Sequence, residues 1–499
     1  MSKNRSITFK IKEVGRHGMV YGFGTVLESL LQILLIPFFL NKFSPIEYGA
    51  FSLIQISASM AAAFFYLGGS TALNRFYYDA DTEKNQKIWF SNILFLTIFG
   101  SILMTLLAFI FGEFIVQRLF GELTFKNTFY FLFLSLSLSI INTIFYLLSR
   151  LLKKSTFFVI LKLISLLSSL SAIYIFINTM NNILDATALG FLVGQAIVLL
   201  IMLIRYKSSI VLIIDFNLII KYLKFGFPMA LSGLLFIAID WMIRFFVNKE
   251  LGTDSLGLYS MGLKIGSLIQ AGFIMPFALI WGTIRMEYKN DENTHNFFNK
   301  VTTYYFLFGF FIILLVSINI NEIISFISSD NLYEGGLIVI PLILISQLTL
   351  GSINILDFGL IISNKTIHYP IFYLIVFFII SIVSLFLFNY VGILGAAILH
   401  LFSNTLITLL VYLKSNKFFK INIDFRTLFP CFLVCVILFF ILKNLGNSFN
   451  EYHLCNMFLK NGFTVITFFI FSFIFLPAID RNKIYKILVR NFLILTKKR

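Results

Sequence analysis

Six ionisable side chains lie inside long apolar stretches of this sequence. They are Glu28, Lys162, Asp240, Arg244, Lys264 and Asp357. A charge at the centre of a bilayer costs about 2.5–3.5 kcal/mol on insertion scales, so each of these residues is a candidate for a functional contact. Lysine and arginine match phosphate groups. The basic residues therefore point to binding of an anionic group.

Asp240 and Arg244 are four residues apart, so they share one helix face and can form an ion pair. This pair either neutralises only itself or lines a water-filled cavity, and the sequence leaves both readings open. Glu28 lies in the middle of its apolar stretch, where snorkelling to an interface does not explain it, and a polar cavity is expected there. Over the first eight predicted helices these interior charges, Asp357 excluded, sum to +1, which suits an anionic group.

Lys162 and Lys264 have no acidic partner nearby in the sequence. Either side chain can line a cavity or extend its ammonium group to the membrane interface. Lys162 is only about one and a half turns from its helix end, which favours the interface. For Lys264 the two readings are balanced. Asp357 is close to a helix end and is expected to have an interfacial role.

The elements that position these residues are membrane-spanning helices. Of the 499 residues 59% are hydrophobic, 12% are charged and 63 are Phe, and the mean hydropathy is +0.92. Soluble domains are about 45–50% apolar and about 25% charged, so a soluble or disordered chain is excluded, and three cysteines make no disulfide framework.

About 20 apolar residues span a bilayer. Fourteen segments qualify: roughly 18–40, 48–68, 88–112, 127–148, 156–178, 185–204, 222–247, 256–283, 301–320, 336–363, 369–388, 391–413, 427–442 and 461–478.

The basic residues favour one side of the membrane. When the segments alternate in direction, 30 Lys and Arg fall on the side that holds both termini, six on the other side and three within spans. Such asymmetry marks the cytoplasmic side. It predicts cytoplasmic termini and explains the net charge of +16 without nucleic acid.

The two ends of the chain need separate readings. The first apolar run is too long for a signal peptide and has no small-residue cleavage site after it, so we expect a retained helix. The tail from Arg481 to Arg499 mixes apolar and basic residues. It is either an amphipathic helix on anionic lipid or a frayed basic tail.

Two parts of the chain resemble each other. Gly22-Phe23 and Asn41-Lys42 in the first recur as Gly226-Phe227 and Asn248-Lys249, and the Asn-Lys pairs are 207 residues apart. An even number of crossings between the repeats predicts a parallel repeat about an axis along the membrane normal. We therefore expect an all-α protein with two six-helix lobes, 1–214 and 215–421, followed by two further helices and a basic tail in 422–499.

Motifs for catalysis and cofactors are missing. The sequence has no phosphate-binding loop of the G-x-x-x-x-G-K-[ST] type and no metal-ligand cluster, so no cofactor is expected. The histidines are scattered, and His400 is expected to be a packing donor. Cys431 and Cys435 are expected to pack within one helix. The predicted outer loops are short, and nothing in them suggests a catalytic centre.

Four stretches resemble features of the Wzx-type polysaccharide flippases. They are Tyr21-Gly22-Phe23-Gly24 with Ser44-Pro45-x-Glu47-Tyr48-Gly49, Leu67-Gly68-Gly69 with Ala72-Leu73-Asn74-Arg75-Phe76-Tyr77, Asp240 and Arg244 with Leu256-Gly257-Leu258-Tyr259-Ser260, and Val391-Gly392-Ile393-Leu394-Gly395-Ala396-Ala397. The resemblance covers about residues 18–415.

The resemblance implies the fold of the multidrug/oligosaccharidyl-lipid/polysaccharide exporter superfamily, with two lobes around a central cavity. It implies a flippase that moves undecaprenyl-pyrophosphate-linked oligosaccharide repeat units across a bacterial inner membrane by alternating access. Arg75 would attract the pyrophosphate at the cytoplasmic mouth, and Arg244 and Lys264, with Lys162, would hold it in the cavity. Glu28 or Asp240 would bind a coupling H⁺ or Na⁺. Expected partners are the lipid-linked substrate, membrane lipids and a polysaccharide polymerase.

Two other functions remain open at this point. A MATE-like exporter would move small molecules in a process coupled to a cation gradient. A membrane glycan polymerase or ligase would form glycosidic bonds and depend on Arg or Glu in its outer loops.

Overall fold

The computed structural model describes residues 35–80, 82–288, 291, 293–327, 331–446 and 453–475, and it is helical throughout. We number the α-helices in chain order. They are α1 Leu35–Lys42, α2 Pro45–Tyr66, α3 Gly69–Phe76, α4 Glu83–Phe120, α5 Lys126–Leu151, α6 Ser155–Thr179, α7 Ile183–Tyr206, α8 Phe216–Ile269, α9 Met275–Glu287, α10 Thr294–Ile318, α11 Ile320–Ile327, α12 Ile340–Gly351, α13 Ile353–Leu356, α14 Phe358–Ile362, α15 His368–Val391, α16 Ile393–Ser415, α17 Phe425–Gly446 and α18 His453–Phe475.

The helices agree with the predicted membrane spans. Eleven helical stretches within the described ranges are long and apolar enough to cross a membrane. One of them, Phe216–Glu287, contains the seventh and eighth predicted spans, and the shorter Asn461–Phe475 corresponds to the last. The expected fold class, an all-α polytopic membrane protein, is confirmed. Most of the first predicted span and the whole basic tail lie outside the described residues.

Short polar and glycine signals set the helix ends. Ser44 caps α2: its hydroxyl accepts from the Glu47 backbone N–H, and the Glu47 carboxylate accepts from the Ser44 N–H, while Pro45 occupies the first turn. Leu67 and Gly68 then end α2 with left-handed backbone angles. Two of the family-like stretches of the sequence therefore have a local structural reason.

The long helix α8 reverses direction at Gly252, whose φ of 85° and ψ of 167° suit only glycine. Before the break, Trp241 contacts Ser57 in the middle of α2. After the break, Gly257 lies against Pro45 at the start of α2. Further along the second arm, Ser260 contacts Ser52, nearer the middle of α2 again. The two arms therefore pass α2 in opposite directions, and Gly252 separates two membrane crossings.

The turn between the eleventh and twelfth spans is even tighter than predicted. The sequence placed it at Asn389–Tyr390, but α15 continues to Val391 and α16 begins at Ile393. Gly392 alone forms the turn, with φ 60° and ψ −142°. A residue with a Cβ atom rarely adopts this conformation.

Large apolar side chains cover the outside of the bundle. Phe114, Ile204 and Tyr174 are each more than 70% exposed, at 71%, 72% and 74%. A soluble monomer does not expose contiguous apolar surface of this kind, whereas a membrane protein presents it to lipid.

Candidate functional site

A polar cavity of about 480 Å³ lies between the two halves of the bundle. Its walls come from α1, α2, α6 and α7 on one side and from α8, α12 and α16 on the other. Four of the seven residues singled out from the sequence line it: Lys162, Asp240, Arg244 and Lys264. The chain folds so that charges from three separate helical segments share one chamber within the apolar bundle.

Asp240 and Arg244 form an ion pair in the wall of this cavity. The Arg244 Nη2 atom is 3.2 Å from Asp240 Oδ2, and Nε is 3.4 Å from Oδ1. The Arg244 side chain is 15% exposed and the Asp240 side chain is 26% exposed. The sequence left open whether this pair neutralises only itself or lines a cavity. In the structure both apply, because the two residues pair with each other and also face the cavity.

The two lysines reach the cavity from opposite halves. Lys264, on the second arm of α8, is half-buried and close enough to Arg244 for the two cations to repel each other. Lys162, on α6, is also half-buried, and its ammonium group is 4.5 Å from the centre of the Tyr146 ring. Lys162 therefore lines the cavity, the less favoured of the two readings of its sequence context.

Uncharged polar side chains complete the walls, and sequence reasoning missed them. They are Ser52, Gln55, Ser165, Ser169, Gln195, Ser260, Ser267, Gln347 and His400. Single Gln and Ser residues are inconspicuous in apolar helices. Their spacing could have identified some of them as cavity residues. Lys162, Ser165 and Ser169 recur every three or four residues and so share one helix face.

The cavity is closed on the side where α2 begins, which is opposite the side rich in Lys and Arg. The hydroxyls of Ser52 and Ser260, both in the cavity wall, are 2.7 Å apart. Beyond them, a Cβ atom on Gly257 would lie 1.8 Å from the Pro45 carbonyl oxygen, so only glycine allows this approach. We call this contact between Pro45, Gly49, Ser52, Gly257 and Ser260 the α2–α8 seam.

The seam also bears on the internal repeat. Ser52 and Ser260 are 208 positions apart in the chain, and so are Gly49 and Gly257, whose backbones meet. This spacing is close to the 207 residues that separate the two Asn-Lys pairs of the sequence repeat.

A second cavity, also of about 480 Å³, lies on another face of α2 and is almost wholly apolar. Its lining includes Met60, Phe65 and Phe111, together with the lipid-facing Phe114. Trp241 separates it from the polar cavity: the residue follows Asp240 directly, and its indole N–H donates to Ser57 at 2.8 Å. Polar and apolar chambers are thus adjacent.

The remaining predicted residues are not in the polar cavity. Arg75 is exposed at the end of α3, and its guanidinium carbon is 5.7 Å from the Phe76 ring centre. Glu28 lies outside the described residues. Asp357 is buried rather than interfacial, which corrects the expectation: it accepts hydrogen bonds from Arg285 at 3.0 Å and Tyr369 at 2.8 Å. Sequence context could not show Arg285, a partner 72 residues away.

Within the described ranges no group of three or more His, Cys, Asp or Glu side chains is placed to hold a metal ion. The described residues that line the cavity instead include three basic side chains and one acidic side chain, a net charge of two positive. Arginine and lysine in a sheltered polar chamber are suited to hold phosphate oxygens.

Comparison with known proteins agrees with this geometry. Residues 43–280 match the model of a family described as "Polysaccharide biosynthesis protein". The match confirms the resemblance to Wzx-type flippases. A search of curated proteins gave no significant match.

The fold is also that of known transporters. A lipid II flippase, MurJ, in an inward closed conformation superposes with a TM-score of 0.71 at 16% identity, covering 92% of this chain and 98% of that one. A multidrug resistance MATE family transporter of the MOP superfamily, in an inward-facing conformation, gives 0.62 at 12% identity, covering 78% and 94%. An outward-facing MATE structure gives 0.55 at 14% identity, covering 81% and 95%. The chain is therefore a multi-pass membrane protein with the fold of a flippase or transporter.

Proposed function

We propose that this protein is a flippase for undecaprenyl-diphosphate-linked oligosaccharides in a bacterial inner membrane, with both termini in the cytoplasm. The observation that carries the proposal is the net basic cavity between the two halves, beside an apolar chamber that opens to lipid. A lipid-linked glycan has an anionic diphosphate, a polar glycan and an apolar tail, and these neighbouring environments match all three.

Binding follows from the charges in the wall. An empty cavity leaves Arg244 paired with Asp240 and leaves Lys264 facing the chamber. An entering diphosphate accepts charge-assisted hydrogen bonds from Arg244 and Lys264 in one half and from Lys162 in the other. The polyprenyl tail remains in the apolar chamber or in lipid. Arg75, exposed on the basic side, attracts the headgroup before entry.

Transport requires the two halves to move. We propose that the lobes 1–214 and 215–421 rock against each other, with 422–499 outside this movement. The α2–α8 seam must then part so that the glycan leaves on the side opposite the basic residues. The chemistry is binding and release, and no bond of the substrate is broken.

Binding measurements test the proposal. Purified protein should bind a fluorescent polyprenyl-diphosphate disaccharide, and Lys264→Gln should weaken binding about 10- to 150-fold, because a hydrogen bond to a charged group contributes about 1.5–3 kcal/mol. The control is Lys249→Gln, since Lys249 is exposed and pairs with the adjacent Glu250. Equal affinities for the two variants would remove Lys264 from the site.

The MATE-like exporter is tested in the same experiment. The net positive wall disfavours an organic cation as cargo. If a lipophilic cationic dye binds and the diphosphate probe does not displace it, the proposed substrate class is wrong.

A further inference from the structure

His400 is a cavity residue that the binding scheme above does not use. It lies on α16, is 8% exposed and contributes to the polar wall. Its Nε2 atom is 3.4 Å from the side-chain nitrogens of both Gln347 and Asn404. Amide nitrogens only donate hydrogen bonds, so this arrangement suits a neutral imidazole that accepts at Nε2 and carries its proton on Nδ1.

The charges around His400 all come from one helix. Asp240 and Arg244 of α8 act on the ring electrostatically. From α12 the ring meets the neutral Gln347, and α15 contains no Asp, Glu, Lys or Arg. Because Asp240 is already paired with Arg244, the empty cavity offers an imidazolium ion no free anion among the described residues.

An anionic ligand changes this balance. A diphosphate held by Arg244 and Lys264 brings negative charge into the chamber that His400 also lines. A nearby opposite charge favours the charged form of a titratable group, and histidine ordinarily titrates near neutral pH. Gln347 also lines the cavity, so its amide can rotate to turn its oxygen toward a protonated Nε2.

We propose that His400 takes up one proton when the diphosphate binds, so that a proton enters the closed cavity with each substrate molecule. The Nε2 lone pair accepts a proton from cavity water, which is replenished from the solvent, and the proton leaves when the anion is released. The inference rests on the proposed function. It assigns proton binding to His400 rather than to Asp240, whose carboxylate is engaged by Arg244.

Linkage between proton and ligand provides the test. The probe is a polyprenyl-diphosphate N-acetylglucosamine, a diphosphate diester whose own charge is constant between pH 6 and 8. Proton uptake on binding makes the affinity rise as the pH falls, by up to about tenfold per pH unit. His400→Gln should abolish this slope. His295→Gln, at an exposed histidine bonded to the Lys420 carbonyl, should retain it.

A second measurement on the unmodified protein makes the test independent of how the variant folds. Adding the probe to weakly buffered protein containing a pH indicator should remove up to one proton per bound probe from solution. Binding without proton uptake, or an unchanged slope in a folded His400→Gln protein, overturns the inference alone. Absence of probe binding at every pH instead overturns the proposed function.

Discussion

A disulfide across the α2–α8 seam should stop transport reversibly. The Ser52 and Ser260 hydroxyl oxygens are 2.7 Å apart, and a disulfide needs its sulfurs about 2.05 Å apart, so a shift of well under 1 Å brings cysteines at these positions together. The single hydrogen bond contributes only about 0.5–1.5 kcal/mol, which the moving lobes overcome easily, whereas a covalent bond does not open. We therefore expect Ser52→Cys and Ser260→Cys each to transport, and the oxidised double variant to be inactive.

The assay compares glycan export with the oxidised fraction, in a background where Cys431, Cys435 and Cys455 are alanine. A reductant should restore export. The matched control is Thr105→Cys with Ser137→Cys, whose hydroxyls are 2.9 Å apart but join α4 to α5 within one half. Full export by a completely oxidised Ser52/Ser260 double variant would refute the reasoning that this seam opens.

Three further predictions concern packing and charge. Gly257→Ala places a Cβ atom 1.8 Å from the Pro45 carbonyl oxygen, so the closed seam should be destabilised by about 1–3 kcal/mol and should open. Opening is measured as increased accessibility of a cysteine placed in the seam. The control Gly233→Ala, with nothing within 4 Å of its added Cβ atom, should leave this accessibility unchanged. Asp240→Asn frees Arg244 and should tighten binding of the diphosphate probe; weaker binding with normal thermal stability would contradict the assigned role. Arg285→Ala leaves the buried Asp357 carboxylate without its cation and should destabilise the folded protein by about 3–5 kcal/mol. The measurement is the melting temperature in detergent, which should fall. An unchanged melting temperature would show that the Arg285–Asp357 pair contributes nothing to stability.

The sequence predicted the charged part of the cavity because the membrane limits where charge is tolerated. Lys162, Asp240, Arg244 and Lys264 stood out against an apolar background, and the structure places all four around one cavity. A very tight link between the eleventh and twelfth spans was also predicted, although the turn lies at Gly392 rather than at Asn389–Tyr390.

Other features depend on tertiary contacts and were not predictable. Asp357 looked interfacial because its cation, Arg285, belongs to a distant segment. His400 looked like a packing residue, and only the folded bundle brings it beside Gln347 and the cavity. Asp185 is a buried acid near the start of α7, hydrogen-bonded to Thr128, and nothing in its local sequence indicates that partner.

Reconstitution in liposomes tests the central claim most directly. The purified chain is incorporated into vesicles that carry a fluorescent polyprenyl-diphosphate oligosaccharide, and an impermeant quencher reports how much of the lipid changes leaflet. The account predicts rapid translocation by the unmodified protein and a large loss when Lys162, Arg244 and Lys264 are all neutralised, with a correctly folded bundle. Translocation at the original rate by that triple variant would contradict a role for the basic cavity in moving the substrate.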